Sequence, residues 1–88
     1  MNPDGRTPLR ILLVDDEEDL VAFLSQRLLR RGFTVTATTS GPDAVAAAGR
    51  QPFDVAVVDL KLPVMDGVEV LGRLKAAQPF LEAIMFTG

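Results

Sequence analysis

Eighty-eight residues with a formal net charge of −3 make at most one small domain, of a size that hides only ~60–65% of the unfolded chain's surface on folding. A 48% apolar content excludes a disordered chain, and the acidic balance argues against a nucleic-acid surface, which is normally basic. Cysteine and histidine are both absent, so there is no disulfide or thiolate-metal framework and no imidazole base or ligand. Chemistry must run on carboxylates, hydroxyls and backbone. No apolar run approaches membrane-spanning length, and Met1-Asn2-Pro3-Asp4-Gly5-Arg6 is not a signal peptide, so the expectation is a soluble cytoplasmic protein with no membrane partner.

Residues 1–8 hold two prolines and a glycine without periodicity, which reads as a flexible lead-in to a domain over residues 9–88. Leu9 to Val14 is nearly all apolar, the pattern of an interior strand, and it runs into Asp15-Asp16. Glu18 to Arg31 is helical: Leu20, Leu24 and Leu28 recur every fourth residue beside Val21, acids open the segment and arginines close it, and Gly32 stops it. Phe33 to Thr38 alternates apolar residues with threonines, as a strand with one less buried face does. Ser40-Gly41-Pro42-Asp43 opens a second helix, running to about Gly49 with Ala44, Val45 and Ala48 facing inward.

The continuous apolar run Val55 to Val58 predicts a strand buried on both faces, with Asp59 at its C-terminal end. After the loop Leu62-Pro63-Val64-Met65-Asp66-Gly67, Val68, Leu71 and Leu74 mark a third helix closed by Pro79, and Ala83 to Phe86 is a fourth strand ending at Thr87. The alternation β-α-β-α-β-α-β with short links predicts right-handed crossovers and a parallel sheet with helices on both faces.

Asp15, Asp16 and Asp59 close two apolar strands. If those strands are neighbours, three carboxylates meet at the sheet edge where open α/β folds bind ligands. Their repulsion raises at least one pKa. Mg²⁺ would relieve it, being held by a few carboxylates plus waters, and one carboxylate could remain as a nucleophile toward phosphorus. Each residue also has a plainer reading. The acidic run from Asp15 to Asp19 complements a helix dipole, Asp59 can simply form a turn, and Thr87 can be an ordinary strand residue.

Together, Leu12-Leu13-Val14-Asp15-Asp16, Val58-Asp59-Leu60-Lys61-Leu62-Pro63-Val64-Met65-Asp66-Gly67 and Met85-Phe86-Thr87-Gly88 resemble the receiver domain of two-component response regulators. The resemblance implies a flavodoxin-like α/β fold, with strand order 2-1-3-4 in the part present. It implies Asp59 as phosphoacceptor from a sensor histidine kinase or phosphotransfer protein. It further implies Mg²⁺ bound by Asp16 directly and Asp15 through water, with Asp59 and the Lys61 backbone carbonyl as further ligands. Thr87 would be the switch hydroxyl, and Pro63 and Gly67 would shape the loop. The family continues with a helix, a fifth strand bearing a lysine, and a final helix; these 88 residues stop after the fourth strand. The expectations are therefore an incomplete receiver, slow labelling, and a homodimer or larger assembly through the exposed fourth strand. No enzyme activity is expected beyond slow self-phosphorylation and self-dephosphorylation. A phosphorylation-independent interaction module with the same fold is the alternative. A carboxylate phosphatase fits less well, because Lys61 stands where such enzymes place a second aspartate.

Overall fold

A computed structural model describes residues 7–86; residues 1–6 of the lead-in and residues 87–88, Thr87 among them, lie outside the described residues. The elements are β1 (Arg10–Val14), α1 (Glu18–Arg30), β2 (Thr34–Thr38), α2 (Gly41–Arg50), β3 (Val55–Asp59), α3 (Gly67–Ala77) and β4 (Glu82–Phe86). Every element read from the sequence is present, with ends displaced by a residue or so. Local chemistry accounts for the boundaries. Glu18 and Asp19 in the first turn of α1, and Arg27 and Arg30 in its last, oppose the helix dipole. Gly32 then turns the chain at φ 92°, a conformation glycine adopts at no steric cost. Ser40 caps α2 by accepting the Asp43 N–H at 3.2 Å, and Asp66 caps α3 by accepting the Glu69 N–H at 2.9 Å.

The four strands form one parallel sheet in the order β2-β1-β3-β4. Because the chain leaves β1 toward β2 on one side and later returns to place β3 on the other, the order reverses between β1 and β3. Loops diverge at such a switch point and open a crevice beyond the carboxyl ends of the strands. Val14 stands opposite Val58 in the β1–β3 register, so Asp15 and Asp59 are the next residues on adjacent strands.

Successive strand residues face opposite sides. Leu12 and Val14 of β1 and Ala56 and Val58 of β3 pack with Ala44, Ala47 and Ala48 of α2 and Val70 and Leu74 of α3 in the main core. On the other face α1 packs over β1 and β2, with Val21 as its buried residue. The helices thus cover both faces, as alternation implied. Three sequence expectations shift. Val55 and Val57 are only half-buried, so β3 is closed on one face and partly open on the other. In α3, Val70 and Leu74 are buried while Val68 is 66% exposed. In α2, Ala47 joins Ala44 and Ala48 inside, with Val45 at the margin.

Candidate functional site

Asp15 and Asp59 are the buried charged residues of the core, at 1% and 6% exposure; Asp16 beside them is exposed. One carboxylate oxygen from each of Asp15, Asp16 and Asp59 lies within 4.8 Å of the others. Among the described residues no lysine or arginine forms an ion pair with any of the three. Burial pushes the Asp15 carboxyl above the ordinary aspartate range; the Glu17 N–H pulls the other way, and the negative charges of Asp59 and Asp16 add to the rise.

The two strand-end aspartates are held alike. Asp15 Oδ1 accepts the Glu17 N–H at 2.9 Å, and Asp59 Oδ1 accepts the Lys61 N–H at 2.9 Å. Each side chain thus folds onto the amide two residues ahead, an Asx turn that starts the departing loop. The second oxygen of each stays clear of that bond. Main-chain bonds keep both ends in the sheet: Asp15 N–H donates to Thr38 O at 3.2 Å, and Leu60 N–H to Phe86 O at 2.8 Å.

The loop after Asp59 is tightly built. Gly67 N–H donates to Leu60 O at 3.1 Å, and a methyl at Gly67 would collide with the Asp59 carbonyl oxygen and lie 2.7 Å from Leu60 Cα. Glycine here lets α3 begin directly against the strand end. Gly41 plays a similar part at the start of α2, where a Cβ would stand 2.7 Å from Val70 Cγ2 and 3.1 Å from Met65 Cβ. Between them, Met65 N–H donates to Pro63 O at 2.7 Å. That short turn leaves Val64 at φ 69°, a conformation that costs a non-glycine residue about 1–3 kcal/mol and that β-branched residues rarely adopt. Lys61 is exposed.

The residues expected at the site divide clearly. Asp15, Asp16 and Asp59 converge, Lys61 stands next to them through its main chain, and Thr87 falls outside the described residues. Sequence reasoning missed the paired Asx turns and the left-handed valine. A cavity of about 320 Å³ opens at the opposite, N-terminal edge of the sheet, lined in part by Arg10, Thr34, Thr36, Gln51 and Phe53. Four of its polar side chains have partners: Arg10 with Asp54, Gln51 with Thr36, and Thr34 with Leu9 O.

A parallel α/β sheet with three carboxylates at its switch point defines an α/β domain whose acidic edge could hold a metal ion, and comparison with known proteins says which. Residues 11–88 match the family described as response regulator receiver domain. The chain belongs to that family, the receiver domains of two-component systems. It is 40% identical over 84 residues to the probable transcriptional regulatory protein TcrX of Mycobacterium tuberculosis, covering 96% of this chain and 36% of that protein. The chain thus spans about a third of the length of that curated relative. A CheY-like response regulator receiver domain protein from Methanospirillum hungatei superposes with a TM-score of 0.90 at 32% identity, over 93% of this chain and 66% of that one. A response regulator protein from Burkholderia pseudomallei, solved with a phosphorylated aspartic acid and a calcium ion, gives a TM-score of 0.86 at 30% identity, over 91% of this chain and 47% of that one.

Proposed function

We propose that this chain is a phosphoacceptor module, taking a phosphoryl group onto Asp59 from the phosphohistidine of a sensor kinase or phosphotransfer protein. The observation that carries the reading is the meeting of Asp15, Asp16 and Asp59 within 4.8 Å at the edge where the strand order reverses. Three hard oxygen donors with no ion-paired lysine or arginine among the described residues suit a small divalent metal, and burial, with the negative charges of Asp59 and Asp16 beside it, raises the Asp15 pKa, a cost that such a cation relieves. Asp15, Asp16, Asp59 and the Lys61 carbonyl would hold Mg²⁺. The ion, when bound, would neutralise phosphoryl oxygens during transfer.

The protein's own part is positional. Lys61 N–H fixes Asp59 Oδ1, leaving Oδ2 as the nucleophile. Its lone pair forms the new O–P bond as the P–N bond to the donor imidazole breaks, and that electron pair returns to the imidazole nitrogen. The product is an acyl phosphate. Burial of Asp59 at 6% exposure limits the water that reaches it, and Thr87, one residue after β4, would offer its hydroxyl to the transferred group. Receiver domains are signalling modules rather than enzymes in the general case, and only slow self-phosphorylation and self-dephosphorylation are expected here.

The domain would run from residue 9 to 88, in a cytoplasmic setting, with the kinase as its principal partner. No helix of the described residues is long and apolar enough to cross a membrane. Copies of the chain would also meet through β4, which pairs only with β3 among the described residues. Incubation with acetyl phosphate and Mg²⁺ tests the central reading: intact mass should rise by one phosphoryl group, and Asp59→Asn should abolish the rise. An unchanged wild-type mass would instead favour a phosphorylation-independent interaction module.

A further inference from the structure

Among the described residues Val64 is the one non-glycine residue at positive φ, and it lies in the loop that leaves the Asp59 strand end. It is β-branched, yet it sits at φ 69°, and its side chain is 98% exposed. A lone exposed valine is ordinary; an exposed valine in the left-handed region is not, because burial does nothing to offset the strain. Strain of this kind persists where neighbours over-determine the backbone, and it concentrates at functional sites. Here the neighbours do over-determine it. Met65 N–H is bonded to Pro63 O, Gly67 N–H to Leu60 O, and Met65 is packed against the main core.

The loop that carries Val64 leaves the strand end at Asp59, and its second amide, Lys61 N–H, is bonded to the Asp59 carboxylate. A protein that delivers a phosphoryl group to Asp59 must cover this edge of the sheet. It therefore meets two unlike surfaces. One side offers Val64 and, one residue into α3, Val68 at 66% exposure. The other offers the exposed acids Asp16, Glu17, Glu18 and Asp19, which line an open cleft.

We infer that Val64 is a docking residue for the protein phosphodonor: a rigid apolar knob that enters a socket beside the donor's phosphohistidine, while basic donor residues face Asp16 to Asp19. This rests on the phosphoacceptor reading of Asp59 and adds to it the surface by which the donor is recognised. The left-handed backbone holds the isopropyl group in one place before contact, so little freedom is lost when the donor seats. A small phosphodonor needs no socket, and Val64 should be irrelevant to it.

The test compares two donors on one set of variants. Autophosphorylated cytoplasmic portions of the sensor kinases from the source organism are screened against the wild-type chain, and the fastest serves for all variants. Val64→Ala and Val64→Asn should slow transfer from that kinase by about tenfold, the loss of one well-packed apolar contact, whereas Val64→Ile should stay near wild type. Labelling by acetyl phosphate should be the same in all four proteins. Asparagine tolerates the left-handed region, so loss of transfer in Val64→Asn is not a folding defect; circular dichroism of each variant checks this. Equal transfer from the kinase to every variant would overturn the inference, as would an equal drop with acetyl phosphate. If acetyl phosphate labels the wild type but no kinase does, the docking inference fails and the phosphoacceptor assignment stands; if neither labels it, both fail.

Discussion

Asp15 and Asp54 titrate in opposite senses, and their positions say why. Asp15 is buried among acids, so the folded chain holds its proton more tightly than the unfolded chain does. As pH rises through and above the ordinary aspartate value of 3.8, the unfolded state gives up that proton first, and stability falls. Asp54 accepts the Arg10 backbone N–H at 2.8 Å and the guanidinium Nε–H and Nη2–H at 3.1 Å each, and its carboxyl is held below the ordinary range by that hydrogen bonding. Its contribution is present above 3.8 and is lost as pH falls through the folded value. Asp15→Asn keeps an acceptor for the Glu17 N–H and removes the buried charge. It should raise the melting temperature of the metal-free chain at pH 7 and reduce the further gain on adding Mg²⁺. Asp54→Asn should flatten the acid limb instead. Thermal unfolding across pH 3–8, with and without Mg²⁺, measures both effects. The place of Asp15 and Asp59 at strand ends was legible at this scale, because each directly follows a strand-length apolar run. Val64 was not: Pro63 and Asp66-Gly67 announce a loop, but a β-branched residue is among the last expected at positive φ.

The helices show what periodicity reads well and where packing overrides it. Apolar spacing located α1 and α3 and the Ser40 cap located α2, yet in α3 the spacing pointed to Val68, Leu71 and Leu74 where the core takes Val70 and Leu74. Packing decides the face: Gly67 lies directly against the Asp59 and Leu60 main chain, and Val70 and Leu74, three and seven residues on, are the positions that meet the core. Polar fasteners between elements leave still less trace in sequence. Gln78, just past α3, accepts the Phe53 N–H at 2.8 Å through Oε1. Its Nε2 donates to Ala48 O at 2.9 Å and Gln51 O at 2.8 Å. One side chain thus joins the end of α3 to the end of α2 and the approach to β3. A glutamine before a proline reads as an ordinary loop residue, and nothing in its spacing reports three partners. Gln78→Ala should cost about 2 kcal/mol, three modest net hydrogen bonds with partial replacement by water, as urea unfolding would show. Val64→Asn should act in the other direction, stabilising the chain by about 1 kcal/mol through relief of strain.

At the scale of the whole molecule, element order dictates a parallel sheet, while the strand order that brings Asp15 and Asp59 together was supplied by the family resemblance. Apolar runs cannot say which strands are neighbours. The structure has the expected order, and with it one consequence for assembly. β4 has a single neighbour among the described residues, Ile84 is 56% exposed, and Val55 and Val57 beside it are half-buried. Covering about 400 Å² of apolar surface would contribute roughly 10 kcal/mol, against about 4–15 kcal/mol lost in association. The balance favours reversible, concentration-dependent pairing of the 88-residue chain over a permanent dimer. Light scattering over a concentration series should show the average mass rising, and Ile84→Lys should suppress the rise; a constant monomer mass for the wild type would refute the pairing. The claim on which the rest depends is that chemistry happens at Asp59. The most direct measurement is to label the chain with acetyl phosphate and Mg²⁺, reduce the product with borohydride, and map the modified residue by peptide mass spectrometry. The expected result is reduction of Asp59 alone to homoserine, and its loss when hydroxylamine is added before the borohydride. A hydroxylamine-stable phosphate on Ser40 or Thr87, with Asp59 unmodified, would contradict it.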